Sequence, residues 1–244
     1  MKIYKANTYE AMSRQAANII FSQVTLKSDS VLGLATGSTP LQTYQYLIDD
    51  YNDGKVDFSK VKTVNLDEYK GLLPDNPQSY HYFMHQHFFN FVNIPSGNAY
   101  LPLGDSDDAT AECKRYDDLV TSLGQIDLQL LGIGLNGHIG FNEPSTHFPY
   151  STHCVPLQQS TLDANKRFFD SEEDMPTHAY TMGIGTIFSA KKILLLANGS
   201  GKANILKEAL YGPITPNVPA SILQLHPDVT LVGDEAALSE LELE

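Results

Sequence analysis

Cysteine is nearly absent from this 244-residue chain, which has only Cys113 and Cys154. Two thiols so far apart form neither a disulfide framework nor a CxxC metal pair, so they read as reduced side chains of a cytoplasmic protein. Positive charge is also scarce: 16 Lys and Arg stand against 29 Asp and Glu, a net charge of −13. A nucleic-acid or anionic-membrane surface needs clustered cations, and both are excluded on that ground. An anionic ligand must then be held locally, by a few backbone N–H groups and one or two cations. No apolar run approaches the length needed to cross a bilayer, and the opening MKIYKANTYEAMSRQAANII has no signal-peptide core. No repeat, low-complexity tract or Gly/Ser-rich linker divides the chain.

What is present is enough apolar residue, 42 %, to bury one substantial core, and a single domain over 1–244 is expected. Continuous apolar runs mark strands buried on both faces at Val31–Ala35, Val61–Leu66, Ile126–Gly132, Ala179–Gly183, Lys192–Ala197 and Val229–Val232. Helix-period segments lie between them at Tyr9–Gln23, Leu41–Tyr51, Gln78–Phe89, Asp108–Leu123 and Lys202–Tyr211. This alternation predicts an α/β fold, a Rossmann-like doubly wound, mostly parallel sheet with helices on both faces. Residues 145–177 break the rhythm and are expected to be a polar lid insertion with little strand character.

The richest stretch is LGIGLNGHIGFNEP, Leu131 to Pro144. An apolar run ends in closely spaced glycines and then delivers His138 and Glu143 into a turn stopped by Pro144, an arrangement suited to proton transfer at a strand's carboxyl end. Gly132, Gly134 and Gly137 satisfy the G-x-G-x-x-G spacing of dinucleotide sites. A true fingerprint opens a helix, however, and Pro144 disrupts a helix interior, so a nicotinamide cofactor is disfavoured. A second stretch, Thr36-Gly37-Ser38-Thr39-Pro40, joins a strand to a helix with Pro40 suited to its first position. It fits an anion site equally with an ordinary capped turn; without a G-K-[ST] ending it is not a Walker loop.

In Asn65-Leu66-Asp67-Glu68-Tyr69 two adjacent acids point different ways, so at most one faces a common cleft. The plainer reading has Asp67 capping a turn and Glu68 in solvent. Arg167 and Lys202 are two separated cations, the latter after a small-residue turn at a helix start. His81, His85 and His87 lie on or near one helix face, with His81 and His85 four residues apart, but with no accompanying carboxylate a metal site is disfavoured.

Taken together, LGLATGSTPLQTY, VNLDEYKGL, GIGLNGHIGFNEP, ANKRFF, GSGKA and LQLHP resemble the glucosamine-6-phosphate deaminases along almost the whole length. The resemblance implies conversion of glucosamine 6-phosphate and water to fructose 6-phosphate and ammonia, in amino-sugar catabolism, with no organic cofactor and no metal. It implies catalytic positions at Asp67, Asn136, His138 and Glu143. Phosphate binding falls to Thr36, Gly37, Ser38, Thr39, Arg167 and Lys202. Many members carry Asp where this chain has Asn136, so Asn136 is expected to orient and His138 to rely on Glu143. Longer members form hexamers regulated by N-acetylglucosamine 6-phosphate; His153 and Val155 stand at two of their cationic regulatory positions. A monomer without an effector site is expected here. The alternatives are a 6-phosphogluconolactonase-like hydrolase, which has no use for Asp67 as a carbon base, and a non-catalytic sugar-phosphate sensor.

Overall fold

The computed structural model describes residues 1–158 and 175–242. The three most apolar runs become β2 (Val31–Leu34), β6 (Leu128–Gly132) and β9 (Ile193–Ala197). They lie at the centre of a seven-stranded parallel sheet whose order is β1-β10-β9-β6-β2-β3-β5. The flanking strands are β1 (Lys2–Ala6), β3 (Lys62–Asn65), β5 (Ala99–Tyr100) and β10 (Val229–Asp234). From β2 the chain winds outward to β3 and β5, then returns to place β6 on the other side of β2. The carboxyl ends of β2 and β6 therefore form the switch point at which open α/β sheets hold ligands.

Helix α1 (Tyr9–Leu26) starts where the Thr8 side chain accepts from the Ala11 N–H at 3.2 Å, and it buries Met12, Ala16, Ala17, Ile20 and Val24 at helical spacing. Helices α2 (Leu41–Asn52), α3 (Tyr80–His87), α4 (Ala109–Ser122) and α6 (Ala203–Tyr211) lie within a few residues of the expected segments. Ser79 and Asp108 cap α3 and α4. A short α5 (Ile184–Phe188) was not expected.

Three expectations need correction. The run near Ala179–Gly183 is not a core strand: it forms β8 (His178–Thr181), in a separate antiparallel sheet ordered β4-β8-β7. Burial on both faces gives the same apolar pattern in either sheet, so periodicity could not separate them. The acids of β4 (Asp67–Lys70) looked like a turn but start a strand that pairs Asp67 with Thr181. Segment 145–177 contains strand β7 (His153–Pro156), while residues 159–174 lie outside the described residues.

At the opposite end of the sheet Asp127, almost fully buried, takes Lys27 Nζ at 2.6 Å, Lys191 Nζ at 2.7 Å and the Val31 N–H at 2.9 Å. Burial opposes its charge, but the two ammonium groups and the N–H outweigh that and hold its pKa below the usual value. Asp127→Ala leaves two cations and a strand N–H without their partner. Both ammonium groups are partly exposed and can turn to solvent, so the loss falls mainly on the Val31 N–H and is expected to be about 1–3 kcal/mol, with kcat unchanged. Because the folded pKa is depressed, this stabilisation is present at neutral pH and is lost as pH falls through that pKa. Urea titrations of the two proteins, beside a rate measurement, check it.

Candidate active site

Four loops leave the carboxyl ends of β2, β3, β6 and β9 and meet in a cleft of about 380 Å³. The first is the Thr36–Thr39 turn, where Gly37 sits at φ +94°, a conformation that L side chains resist. Tyr9 of α1 braces it, donating through its hydroxyl to the Ser38 carbonyl at 2.9 Å, while Thr39 Oγ1 donates to Asn198 at 2.8 Å. Pro40 stands at the cap of α2 rather than at its first helical position, and the Tyr9 hydroxyl accepts the Gln42 N–H of the first turn at 3.3 Å. Among the described residues, the backbone N–H groups of Gly37, Ser38 and Thr39 make no hydrogen bond. The turn is thus not an ordinary capped one, and its residues line the cleft beside a helix N-terminus.

The second loop brings Asp67, 7 % exposed, into the same cleft. Its carboxyl accepts no hydrogen bond from any described residue. Burial pushes it up to about 8, and the charge of neighbouring Glu68 adds to the effect. Glu68 is not in solvent, as the plainer reading held: it is 2 % exposed and accepts three backbone N–H bonds at 2.8 Å, from Tyr69, Tyr80 and His81. The two acids do face apart, and the one that caps a helix is Glu68.

The third loop carries the histidine. After Gly132 the chain turns instead of entering a helix, so the glycine spacing lacks the context of a dinucleotide site. Gly134 serves another purpose: a Cβ there would fall 2.2 Å from the His138 ring, which lies flat on the bare backbone. His138 Nδ1 lies 3.2 Å from Glu143 Oε1, off the line of a good hydrogen bond. Asn136 donates its amide to Glu143 Oε2 at 2.5 Å and accepts the His138 backbone N–H at 3.2 Å. Burial works against the Glu143 charge, but the His138 and Asn136 contacts prevail and its pKa is lowered. Asn136 thus touches the His138 ring only through Glu143.

From the fourth loop, Lys202 reaches across to donate Nζ to the Ile133 carbonyl at 2.6 Å, and burial lowers its pKa. It caps α6 instead of starting it. Asp234, at the end of β10, fixes this loop by accepting the Gly199 N–H at 3.0 and 2.9 Å. Arg167 lies outside the described residues. His81 and His85 turn to Pro74 and Asn90, and no cluster among the described residues could hold a metal ion. Sequence reasoning passed over Tyr80 and Phe141, stacked rings 6.2 Å apart that line the cleft beside Asp67. It also passed over the braces Tyr9, Asn198 and Asp234, which no local motif marks.

A doubly wound α/β protein with an open helix N-terminus, a cation, a histidine–carboxylate pair and a desolvated carboxyl in one switch-point cleft has the parts of an acid–base enzyme for a small anionic substrate. The chain belongs to the glucosamine-6-phosphate isomerase/6-phosphogluconolactonase family, whose model matches residues 5–232. A glucosamine-6-phosphate deaminase of Lachnoclostridium phytofermentans is 59 % identical over 232 residues, covering 95 % of this chain and 98 % of that one. One from Geobacillus sp. is 55 % identical, covering 98 % and 95 %. A solved structure described as a monomeric glucosamine-6-phosphate deaminase superposes with a TM-score of 0.94 at 48 % identity, covering 98 % and 100 %. The 6-phosphogluconolactonase of Trypanosoma brucei shares the fold, with a TM-score of 0.78 at 18 % identity over 99 % and 98 % of the two chains.

Proposed function

We propose that this chain is a glucosamine-6-phosphate deaminase, converting glucosamine 6-phosphate and water to fructose 6-phosphate and ammonia in amino-sugar breakdown. The observation that carries this reading is one cleft that holds desolvated Asp67, the His138–Glu143 pair, Lys202 and the Gly37–Thr39 turn, where neither the Asp67 carboxyl nor the turn's N–H groups have a partner among the described residues. The sugar phosphate sits on the turn and Lys202, with Thr36 beside them and Arg167 as a second cation. His138, held by Glu143 and through it by Asn136, moves the proton between O1 and O5 that opens the ring. Asp67 then takes the C2 proton. Electrons of the broken C–H bond shift through C2–C1 to form an enolamine, and Asp67 returns a proton at C1 after partial exchange with solvent. Water adds to the resulting ketose imine and ammonia leaves.

A lactonase of the same family hydrolyses without breaking a C–H bond, so the discriminating feature is Asp67 itself. Ammonia release from glucosamine 6-phosphate, with N-acetylglucosamine 6-phosphate and 6-phosphogluconolactone as comparison substrates, tests the assignment. Ammonia from the first alone supports it. Faster turnover of the lactone overturns it in favour of the hydrolase, and binding without turnover favours the sensor.

In this reading the chain is one domain over 1–244, works in the cytoplasm with both thiols reduced, and uses segment 145–177 as its lid. It acts as a monomer without an effector site, as His153 and Val155 supply no fixed positive charge at the two regulatory positions. Rates are expected to follow a hyperbola, unchanged by N-acetylglucosamine 6-phosphate, since cooperativity needs two coupled sites. Light scattering at micromolar protein beside rate curves with and without that compound checks this. A hexamer whose sigmoidal rates the compound makes hyperbolic refutes the monomer and leaves the chemistry standing.

A further inference from the structure

Among the described residues, the second acid of β4 is the buried carboxyl near the cleft that the reaction above does not use. Glu68 points away from the cleft and borders a small cavity behind it with His81 and Arg115. Its Oε1 accepts from the Tyr69 and Tyr80 N–H groups, and its Oε2 from that of His81. Tyr80 and His81 are the first two residues of α3, where helix N–H groups lack partners. Gly104 packs so closely over this side chain that a Cβ there would lie 3.3 Å from Glu68 Cγ. A carboxylate is not needed merely to cap α3, because Ser79 already caps it through the Tyr82 N–H at 3.0 Å. Fixing a buried charge in so closed a place costs desolvation, which asks for a return elsewhere.

We infer that Glu68 is a positioning residue for Asp67: it fastens the start of α3 to β4 and, once ionised, sets a negative charge behind the neighbouring carboxyl. The fastening holds Tyr80 against Phe141 on the wall beside Asp67. The charge disfavours a second anion next door, so Asp67 holds its proton more tightly and is a stronger base once that proton is gone. Burial raises the pKa of both carboxyls, but three N–H groups offset it at Glu68 and none does at Asp67, so the two titrate as a pair with Glu68 first.

The other titratable groups around the pair do not supply this effect. Tyr44 of α2 and Tyr116 of α4 are buried phenols whose pKa values are pushed further up, so they stay neutral. Arg115 of α4 is taken by Glu112 at 2.6 Å. His81 is held below its usual pKa, first by burial and then by His85. On the cleft side, His138 is paired with Glu143, and Lys202 is tied to the Ile133 carbonyl.

The inference rests on the deaminase reading for its meaning, but its test does not rest on it alone. Profiles of kcat/KM from about pH 6 to about pH 9 are compared for wild type, Glu68→Gln and Glu68→Asp. In Glu68→Gln the acid limb is expected to move down by about half a unit or more and kcat to fall, with KM little changed. Glu68→Asp keeps the charge and should keep the limb while losing thermal stability. Lower stability in both variants with an unmoved limb in both would leave only a structural role and overturn the proposal. Should Glu68→Gln not fold, carboxyl NMR titration of both groups in wild type reads the order and separation of the two steps, without any activity. Because Glu68 ionises first, with Asp67 still neutral, the coupling is read on Asp67, whose carboxyl must titrate in a later step than that of Glu68. An Asp67 that titrates with or before Glu68 refutes the proposal, whereas absence of ammonia release with the two steps in that order refutes only the deaminase reading.

Discussion

Asp67→Asn is expected to lower turnover by about a hundred- to ten-thousandfold, the range for removing a general base, while the sugar phosphate still binds. Solvent deuterium should no longer appear at C1 of the ketose. More than about a tenth of the wild-type rate in the variant would rule out Asp67 as the base. The same substitution should stabilise the fold. Asp67 is buried without a hydrogen bond from any described residue, and its pKa is raised to about 8. Between the ordinary carboxylate range and that value the folded state binds more protons than the unfolded one, so wild-type stability falls as pH rises across the window. The amide carries no such proton, so the melting temperature of the variant should exceed wild type by a margin that grows from acid to mildly alkaline pH. Parallel melting curves for both proteins would read as a carboxyl that is not desolvated.

Lys202→Ala is expected to raise KM for the phosphosugar roughly ten- to a hundredfold, the worth of one charge-assisted hydrogen bond, with a smaller effect on kcat. At a net charge of −13 no general field attracts an anion, so losing a local cation is not made up from elsewhere. Lys202 reaches the cleft already half-desolvated and tied to the Ile133 carbonyl, which spares a bound phosphate the cost of ordering a long side chain. Inorganic phosphate should compete with substrate in wild type and much less in the variant. An unchanged KM and undiminished phosphate competition would place the anion elsewhere.

Which parts of this molecule could be read in the sequence follows from how local their causes are. The runs that became β2, β6 and β9 declare themselves because a strand covered on both faces must be apolar throughout. The His138 loop was legible because its glycines, imidazole and carboxylate follow one another within a dozen residues. The antiparallel sheet was not: DEYK and HAYT have no alternation that assigns a partner, and what pairs them is tertiary. Glu68 was misplaced for a related reason. Adjacent acids look like solvated charge until α3, from a later part of the chain, presents its N–H groups. Tyr9, Asn198 and Asp234 are ordinary surface types in their own segments and become braces only when the four loops converge.

The strand made first waits for the strand made last. β1 pairs in parallel with β10, Lys2 opposite Thr230 and Ala6 opposite Asp234, so the edge of the sheet joins segments roughly 230 residues apart. At ordinary rates of synthesis that interval is on the order of ten to fifty seconds, during which β1 has no neighbour to bind. The closing strand also ends in Asp234, which holds the turn before Lys202. Completion of the fold and completion of the anion site are therefore one event. In refolding, recovery of phosphosugar binding should follow the slowest phase rather than the early gain of helix, and a nascent chain cannot bind its ligand before β10 has docked.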